Sequence, residues 1–226
     1  MKKSIIKKLS LSVKVVLLVL MVSVLATGCF ESTDVYSVSE IADILSKNPK
    51  AYNIHTVVKT AELTSEYRLT IDDSDGGTRA RYEYTRQTYN IIENNEMPNE
   101  KISTESGVRY YRGSEVGQLV DNVMVWEEGR PPEYSPNNLS INEKDFNKTT
   151  IEKNGVTVMF KGELKDDKTL SVLGIDGITE ATIEISLSDA SPQRAETIVI
   201  SYKRNGTVTS VTVNFGYNPQ TVVIPT

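Results

Sequence analysis

The 226-residue sequence predicts an α+β fold that is mostly antiparallel β: a curved sheet or half-barrel with one or two short helices on its concave face. Apolar and polar residues alternate along most of the chain, as they do in strands with one wet face. Turn sequences such as Asn205-Gly206 separate these stretches. Helical spacing is confined to two short segments. A sandwich of two packed sheets fits the same alternation almost as well.

Residues 1–28 have the composition of a signal peptide. They contain five lysines and no acidic residue, and their apolar run over 15–26 is shorter than the roughly 20 residues that span a bilayer. Ala26-Thr27-Gly28-Cys29 resembles a bacterial lipobox, with Ala26 where the motif usually has Leu. We expect cleavage between Gly28 and Cys29 and transfer of diacylglycerol to the Cys29 thiol.

Cys29 is the only cysteine of the chain, and His55 is the only histidine. These counts exclude an intrachain disulfide, a cysteine-rich zinc site and a multi-histidine metal site. The alternatives for Cys29 are a buried free thiol and an uncleaved signal anchor. The lipobox instead predicts a palmitate-type lipid anchor on the extracytoplasmic face of the cell membrane in a Gram-positive bacterium.

The mature chain divides into a tether over 29–36 and a single β-rich domain over 37–226. Ser37 and Glu40 have the spacing of a capping box, which marks the start of a helix. The helix presents one apolar stripe and stops at Asn48-Pro49. The residues of the stripe are Val38, Ile41, Ile44 and Leu45.

The first half of the domain continues with alternating segments. Tyr67, Leu69 and Ile71 alternate with polar residues ahead of a turn at 72–77. Further strands are predicted over 79–92, 101–104, 108–112 and 119–127, with a polar loop over 93–100 and a proline-containing loop over 128–138.

The second half has clearer alternation. Predicted strands contain Val156, Val158 and Phe160, then Ala181 to Leu187, Ile198 to Tyr202, and Val211 to Tyr217. A short helix is predicted from Leu164 to Gly174, with Asp166 or Asp167 as its cap and Gly174 as its end.

The residues do not support catalysis, a metal or a cofactor. His55 lies at the start of a probable strand, and the chain has neither a Gly-x-Ser-x-Gly elbow nor a phosphate-binding glycine loop. Asp72–Gly77 does not fit a calcium loop, because the first and twelfth positions would be Ile71 and Tyr82. Glu127 and Glu128 are adjacent, so in a strand they point to opposite faces and make a poor hydrolytic pair.

Charge argues against a nucleic-acid partner. Without residues 1–28 the chain has 20 basic and 30 acidic residues, a formal charge of −10. Several strand aromatics either pack across strands or line a lipid cavity. They are Tyr82, Tyr84, Tyr110, Tyr111 and Trp126.

The lipobox, the amphipathic helix, the strands and the terminal hairpin ending in Val222-Val-Ile-Pro225 together resemble LolA/LolB-like carriers, particularly LppX/LprG-like lipoproteins. The similarity is strongest over 178–225. It implies a half-barrel with an apolar cavity for acyl chains. The strand residues that would line this cavity are Tyr67, Leu69, Ile183, Ile185, Ile198, Ile200, Val211, Val213 and Phe215.

The sequence thus predicts a monomeric, non-catalytic lipoprotein that binds a lipid or another amphiphile. The alternative is a surface-interaction or structural lipoprotein without a small-molecule ligand.

Overall fold

The computed structural model describes residues 36–74, 77–89, 101–130 and 139–225. These residues form eleven strands, two α-helices (α1 and α2) and two 3-10 turns. The strands are β1 (Asn53–Lys59), β2 (Leu63–Asp72), β3 (Arg79–Tyr89), β4 (Lys101–Arg112), β5 (Glu115–Val120), β6 (Val123–Glu128), β7 (Phe146–Asn154), β8 (Thr157–Leu164), β9 (Ile178–Ser188), β10 (Arg194–Arg204) and β11 (Thr207–Gly216). The helices are α1 (Val38–Ser46) and α2 (Thr169–Leu173).

The described strands make one open, curved antiparallel sheet in the order β6-β5-β4-β3-β2-β1-β11-β10-β9-β8-β7. Strands β1 to β6 extend the sheet in one direction, and β7 to β11 fill the other side. The two halves meet where β1 pairs with β11, for example Ile54 opposite Phe215. The α+β prediction is confirmed, and the single sheet decides against the sandwich.

Helix α1 begins at the predicted capping box. The Ser37 hydroxyl accepts the Glu40 amide N–H at 3.3 Å, and the Glu40 carboxylate accepts the Ser37 amide N–H at 2.7 Å. The apolar stripe of the helix is buried and packs on the sheet at β10. The helix is thereby held over β8 to β10, where its stripe joins the main core.

Two predicted strand boundaries are wrong. The segments 101–104 and 108–112 are one continuous strand, β4, because Gly107 lies under the Tyr84 ring without interrupting the pairing. The segment 119–127 instead contains a hairpin. Asp121 and Asn122 both have positive φ (50° and 62°) and form a two-residue turn between β5 and β6.

The predicted helix over 164–174 is shorter than expected. Leu164 ends β8, and Asp166–Lys168 forms a 3-10 turn before α2. No side-chain cap is present at either start, so the predicted caps by Asp166 and Asp167 are wrong. Gly174 ends α2 in the left-handed region (φ 69°), as predicted.

The β7–β8 region also differs from the prediction. Alternation does not predict strand β7, because its sequence is mostly polar and its side chains are mostly exposed. Val156 lies in the β7–β8 turn rather than in a strand and is 69% exposed.

The buried side chains form two clusters on one face of the sheet. The larger cluster lies between α1 and strands β8 to β10 and contains Phe160, Ile183, Ile185 and Leu187. The smaller one lies on β1 to β5 and contains Ile54, Leu69, Ala80 and Tyr111. Phe215 packs against both clusters, so the core is continuous along the face.

Several predictions lie outside the described residues. They are the signal peptide over 1–28 with its cleavage site at Gly28 and Cys29, all but the last residue of the tether over 29–36, the end (90–92) of the strand predicted over 79–92, the loop over 93–100 and most of the loop over 128–138.

Candidate functional site

The residues predicted to line a cavity all lie on one face of the sheet, which we call the apolar face. Directly paired residues of antiparallel strands point to the same side. Phe215 pairs with Ile54 and Ile54 with Leu69, while Val213 pairs with Thr56 and Thr56 with Tyr67. The remaining predicted residues are connected by the pairs Val213–Ile198, Ile198–Ile185, Val58–Val211, Val211–Ile200 and Ile200–Ile183.

Helix α1 closes one part of the apolar face. Ile183 and Ile185 are fully buried (0% exposed) beneath it, and Ile198 is 5% exposed. Phe146 packs edge-on against Phe160 in the same cluster, with ring centroids 5.3 Å apart. The predicted residues on β9 therefore belong to a filled core.

Another part of the apolar face is only half-buried. We call it the open patch, and it consists of Tyr67, Ile200, Val211, Val213 and Phe215. The Tyr67 ring stacks on Tyr82 with centroids 6.0 Å apart and an interplanar angle of 16°. Apolar side chains and tyrosine rings thus lie together on β2, β3, β10 and β11, with their surfaces partly accessible.

The opposite face of the sheet is polar. His55 Nε2 lies 2.8 Å from Glu66 Oε1, and Arg68 donates to the same carboxylate. The hydrogen bond from Arg68 is the main cause that lowers the pKa of Glu66, against the opposing effect of desolvation. His55 thus lies near the start of β1, the strand position predicted from the sequence, and its ring is paired with a carboxylate.

Two concavities open on this polar face. One has a volume of about 440 Å³ and is lined by His55, Arg81 and Asn214, and the other has a volume of about 400 Å³ and is lined by Thr85. Both contact Arg68 and Glu83. Sequence reasoning missed these concavities, because alternation gives the face of each residue but not which strands are neighbours.

The arrangement offers little for catalysis in the part of the chain that the structure describes. No group of three or more His, Cys, Asp or Glu side chains gathers there in a way that could hold a metal ion. Asp72 is buried and satisfied by protein donors, including the Val222 amide N–H at 2.8 Å. In β6, Glu127 pairs with Val116 and Glu128 with Glu115, so the two carboxylates point to opposite faces.

Within the described ranges, no helix is both long enough and apolar enough to cross a membrane.

Comparison with known proteins identifies a weak structural likeness. No family model matches the sequence, and no curated protein matches it. The crystal structure of LprF from Mycobacterium bovis is similar with a TM-score of 0.41 and 16% sequence identity, over 83% of this chain and 97% of that chain.

Proposed function

We propose that this protein is a lipoprotein, anchored through Cys29 on the extracytoplasmic face of the cell membrane, that binds a lipid or another amphiphile against its apolar face. One observation carries the proposal. A continuous apolar face is covered by α1 over β8 to β10, while the open patch beside it is left half-buried. Contiguous apolar surface that stays accessible is typical of ligand-binding grooves and interaction sites.

The chemistry of the open patch suits an acyl chain. Val211, Val213 and Ile200 provide aliphatic contact area, and the stacked rings of Tyr67 and Tyr82 add aromatic area with hydroxyl groups at one end. Such amphipathic rings suit the boundary between an apolar tail and a polar head group. We propose that the tail lies along β11 beside the edge of the closed core, and that Ile183 and Ile185 support this site from beneath α1.

The ligand proposal is tested by placing a charge in the open patch. Val211→Asp puts a carboxylate on the apolar face, whereas Ser210→Asp puts the same group on the polar face of the same strand. A carboxylate facing an acyl chain costs well above the ~1.4 kcal/mol that changes occupancy tenfold. We therefore expect Val211→Asp to reduce copurifying lipid at least roughly tenfold and Ser210→Asp to retain it.

The measurement is mass spectrometry of an organic extract from the full chain, purified from bacterial membranes, with circular dichroism confirming that each variant folds. The lipid on Cys29 is covalently attached, so it stays with the protein and does not appear in the organic extract. A wild-type extract without lipid, or equal lipid in both variants, would contradict the binding proposal.

The anchor is tested separately. Metabolic labelling with a radioactive fatty acid should label the wild-type chain and leave Cys29→Ser unlabelled, because the thiol is the only cysteine sulfur available for acylation. Ser4→Ala within the leader serves as the control and should keep the label. An unlabelled wild-type chain would contradict the proposed anchor, and it would not decide whether the apolar face binds lipid.

A second candidate function has its own supporting observation. The β5–β6 hairpin exposes several aliphatic side chains far from the open patch, which favours a protein contact without a small ligand. They are Leu119, Val120, Val123 and Val125.

A further inference from the structure

Strand β6 is an edge of the sheet, with β5 as its one neighbouring strand among those described. Two of its aliphatic side chains are largely uncovered, since Val123 is 64% and Val125 is 49% exposed. An edge strand presents unpaired backbone N–H and C=O groups, which form a template for another strand. Four consecutive uncharged residues, Val123 to Trp126, make up most of this edge.

The other edge of the sheet, strand β7, is protected against strand addition by charged side chains. Strand β7 carries Lys148, Glu152 and Lys153 along its length, and charged side chains discourage strand addition. On β6 the charges are confined to Glu127 and Glu128 at the end of the strand. The two edges therefore differ in chemistry, and β6 is the one suited to pairing.

The hairpin geometry determines which backbone groups of β6 point outward. The two-residue turn makes Val120 and Val123 a hydrogen-bonded pair, and every second residue then repeats this arrangement. The Gly129 amide N–H donates to the Ser114 carbonyl at 2.9 Å, in agreement with this alternation. Met124 and Trp126 consequently direct their N–H and C=O groups away from β5.

Charge disfavours two of the antiparallel registers that two copies of this edge could adopt, and it allows the register centred on Val125. A two-fold axis through Val125 places Met124 opposite Trp126 and Val123 opposite Glu127, so acidic residues face neutral ones. An axis through Met124 would place Glu127 opposite Asp121, and an axis through Glu127 would place this residue opposite itself. Like charges that lie directly opposite each other destabilise strand pairs.

The partner side chains also match. In the register centred on Val125, each Met124 thioether lies against a Trp126 ring, a contact that sulfur and aromatic groups favour. Trp126 is already held in place, because it covers Gly117 and because the Arg112 guanidinium lies 3.9 Å from its ring centroid. A fixed aromatic side chain loses little conformational entropy when it binds.

We propose that β6 is a self-association edge, at which two copies of this chain pair antiparallel about a two-fold axis through Val125. The pairing joins the two sheets through the backbone groups of Met124 and Trp126. It keeps the apolar faces of both copies on the same side, and it replaces the monomer expected from the sequence.

Disulfide crosslinking of the full chain in bacterial membranes tests this register. Val125 would be a non-hydrogen-bonded pair with its own counterpart, with Cα atoms about 4.5 Å apart, within the range that a disulfide bridges. We expect Val125→Cys to give a crosslinked dimer under mild oxidation, several-fold more than Val156→Cys. Val156 is a valine in the β7–β8 turn that is more exposed than Val125 (69% against 49%), so exposure alone would favour crosslinking at Val156. The wild-type chain reports any crosslinking through Cys29.

Neighbouring positions on β6 test the register further. Val123→Cys alone should crosslink poorly, because its counterpart lies about 14 Å away along the paired strands. Mixing differently tagged Val123→Cys and Glu127→Cys chains should restore a mixed disulfide, since these positions are directly opposite. Equal yields at Val125, Val123 and Val156, or no dimer in Val125→Cys and none in the mixed pair, would overturn the proposal.

Discussion

Asp72 is the buried carboxylate that ties the C-terminal segment to the sheet. It is 4% exposed and accepts three hydrogen bonds: from the Ser74 hydroxyl at 2.6 Å, the Ser74 amide N–H at 3.0 Å and the Val222 amide N–H at 2.8 Å. These donors, led by the Ser74 hydroxyl, lower the pKa of Asp72 from 3.8 to about 2. Two parts of the chain 150 residues apart therefore depend on one ionised group.

The sign of the pH dependence follows from the lowered pKa. The charged form stabilises the fold above the ordinary pKa of 3.8, and this contribution is lost as the pH falls from there toward 2. We expect Asp72→Asn to unfold at lower urea than the wild type at pH 7, with the difference shrinking toward pH 2. Asp73→Asn is the matched control, because its carboxylate is exposed and pairs with Lys50. An equal difference at both pH values would mean that the charge of Asp72 is not responsible.

Among the elements, those with local signals could be predicted from the sequence. The capping box places the start of α1, and Asn205-Gly206, with φ of 51° and 81°, makes the β10–β11 hairpin. The Asp121-Asn122 turn was missed because it has no glycine and lies within a mostly apolar run, although both residues tolerate positive φ. Strand β7 was missed because an edge strand needs few apolar residues.

The apolar face could be predicted from alternation, but its division into a closed core and an open patch could not. Ile183 and Val211 have the same chemistry and lie on the same face. They differ in exposure because α1 covers only part of this face. The sequence of α1 specifies an apolar stripe, but it does not specify which strands lie beneath the helix. The position of β6 at an edge also depends on long-range pairing. Strands β1 and β11, which are far apart in sequence, pair and join the two halves of the sheet, and this leaves β6 at one end of the strand order.

At the scale of the whole molecule, one network of hydrogen bonds connects the end of α1 to β10 and to the segment after β11. Asn48, just after α1, is 5% exposed. Its Oδ1 accepts the buried Ala195 amide N–H at 2.9 Å, and its Nδ2 donates to the Tyr217 hydroxyl at 2.8 Å. The Tyr217 hydroxyl in turn donates to the Ala195 carbonyl at 2.6 Å. The end of α1, the start of β10 and the segment after β11 are thus connected through three residues.

This network predicts the effect of removing the Asn48 side chain. Asn48→Ala leaves the buried Ala195 N–H without its acceptor, and an unsatisfied buried group costs about 1–3 kcal/mol. We expect the free energy of unfolding to fall by that amount in urea titration. Asn53→Ala is the control, since the Asn53 amide bonds the Asn218 carbonyl at an exposed position and its loss should change stability by less than about 0.5 kcal/mol. Because the network holds α1 over the closed core, hydrogen exchange should also speed up in α1 more than in β8 and β9. Uniform acceleration in all three elements, or equal stability losses in both variants, would contradict a specific role for Asn48 in holding the helix on the sheet.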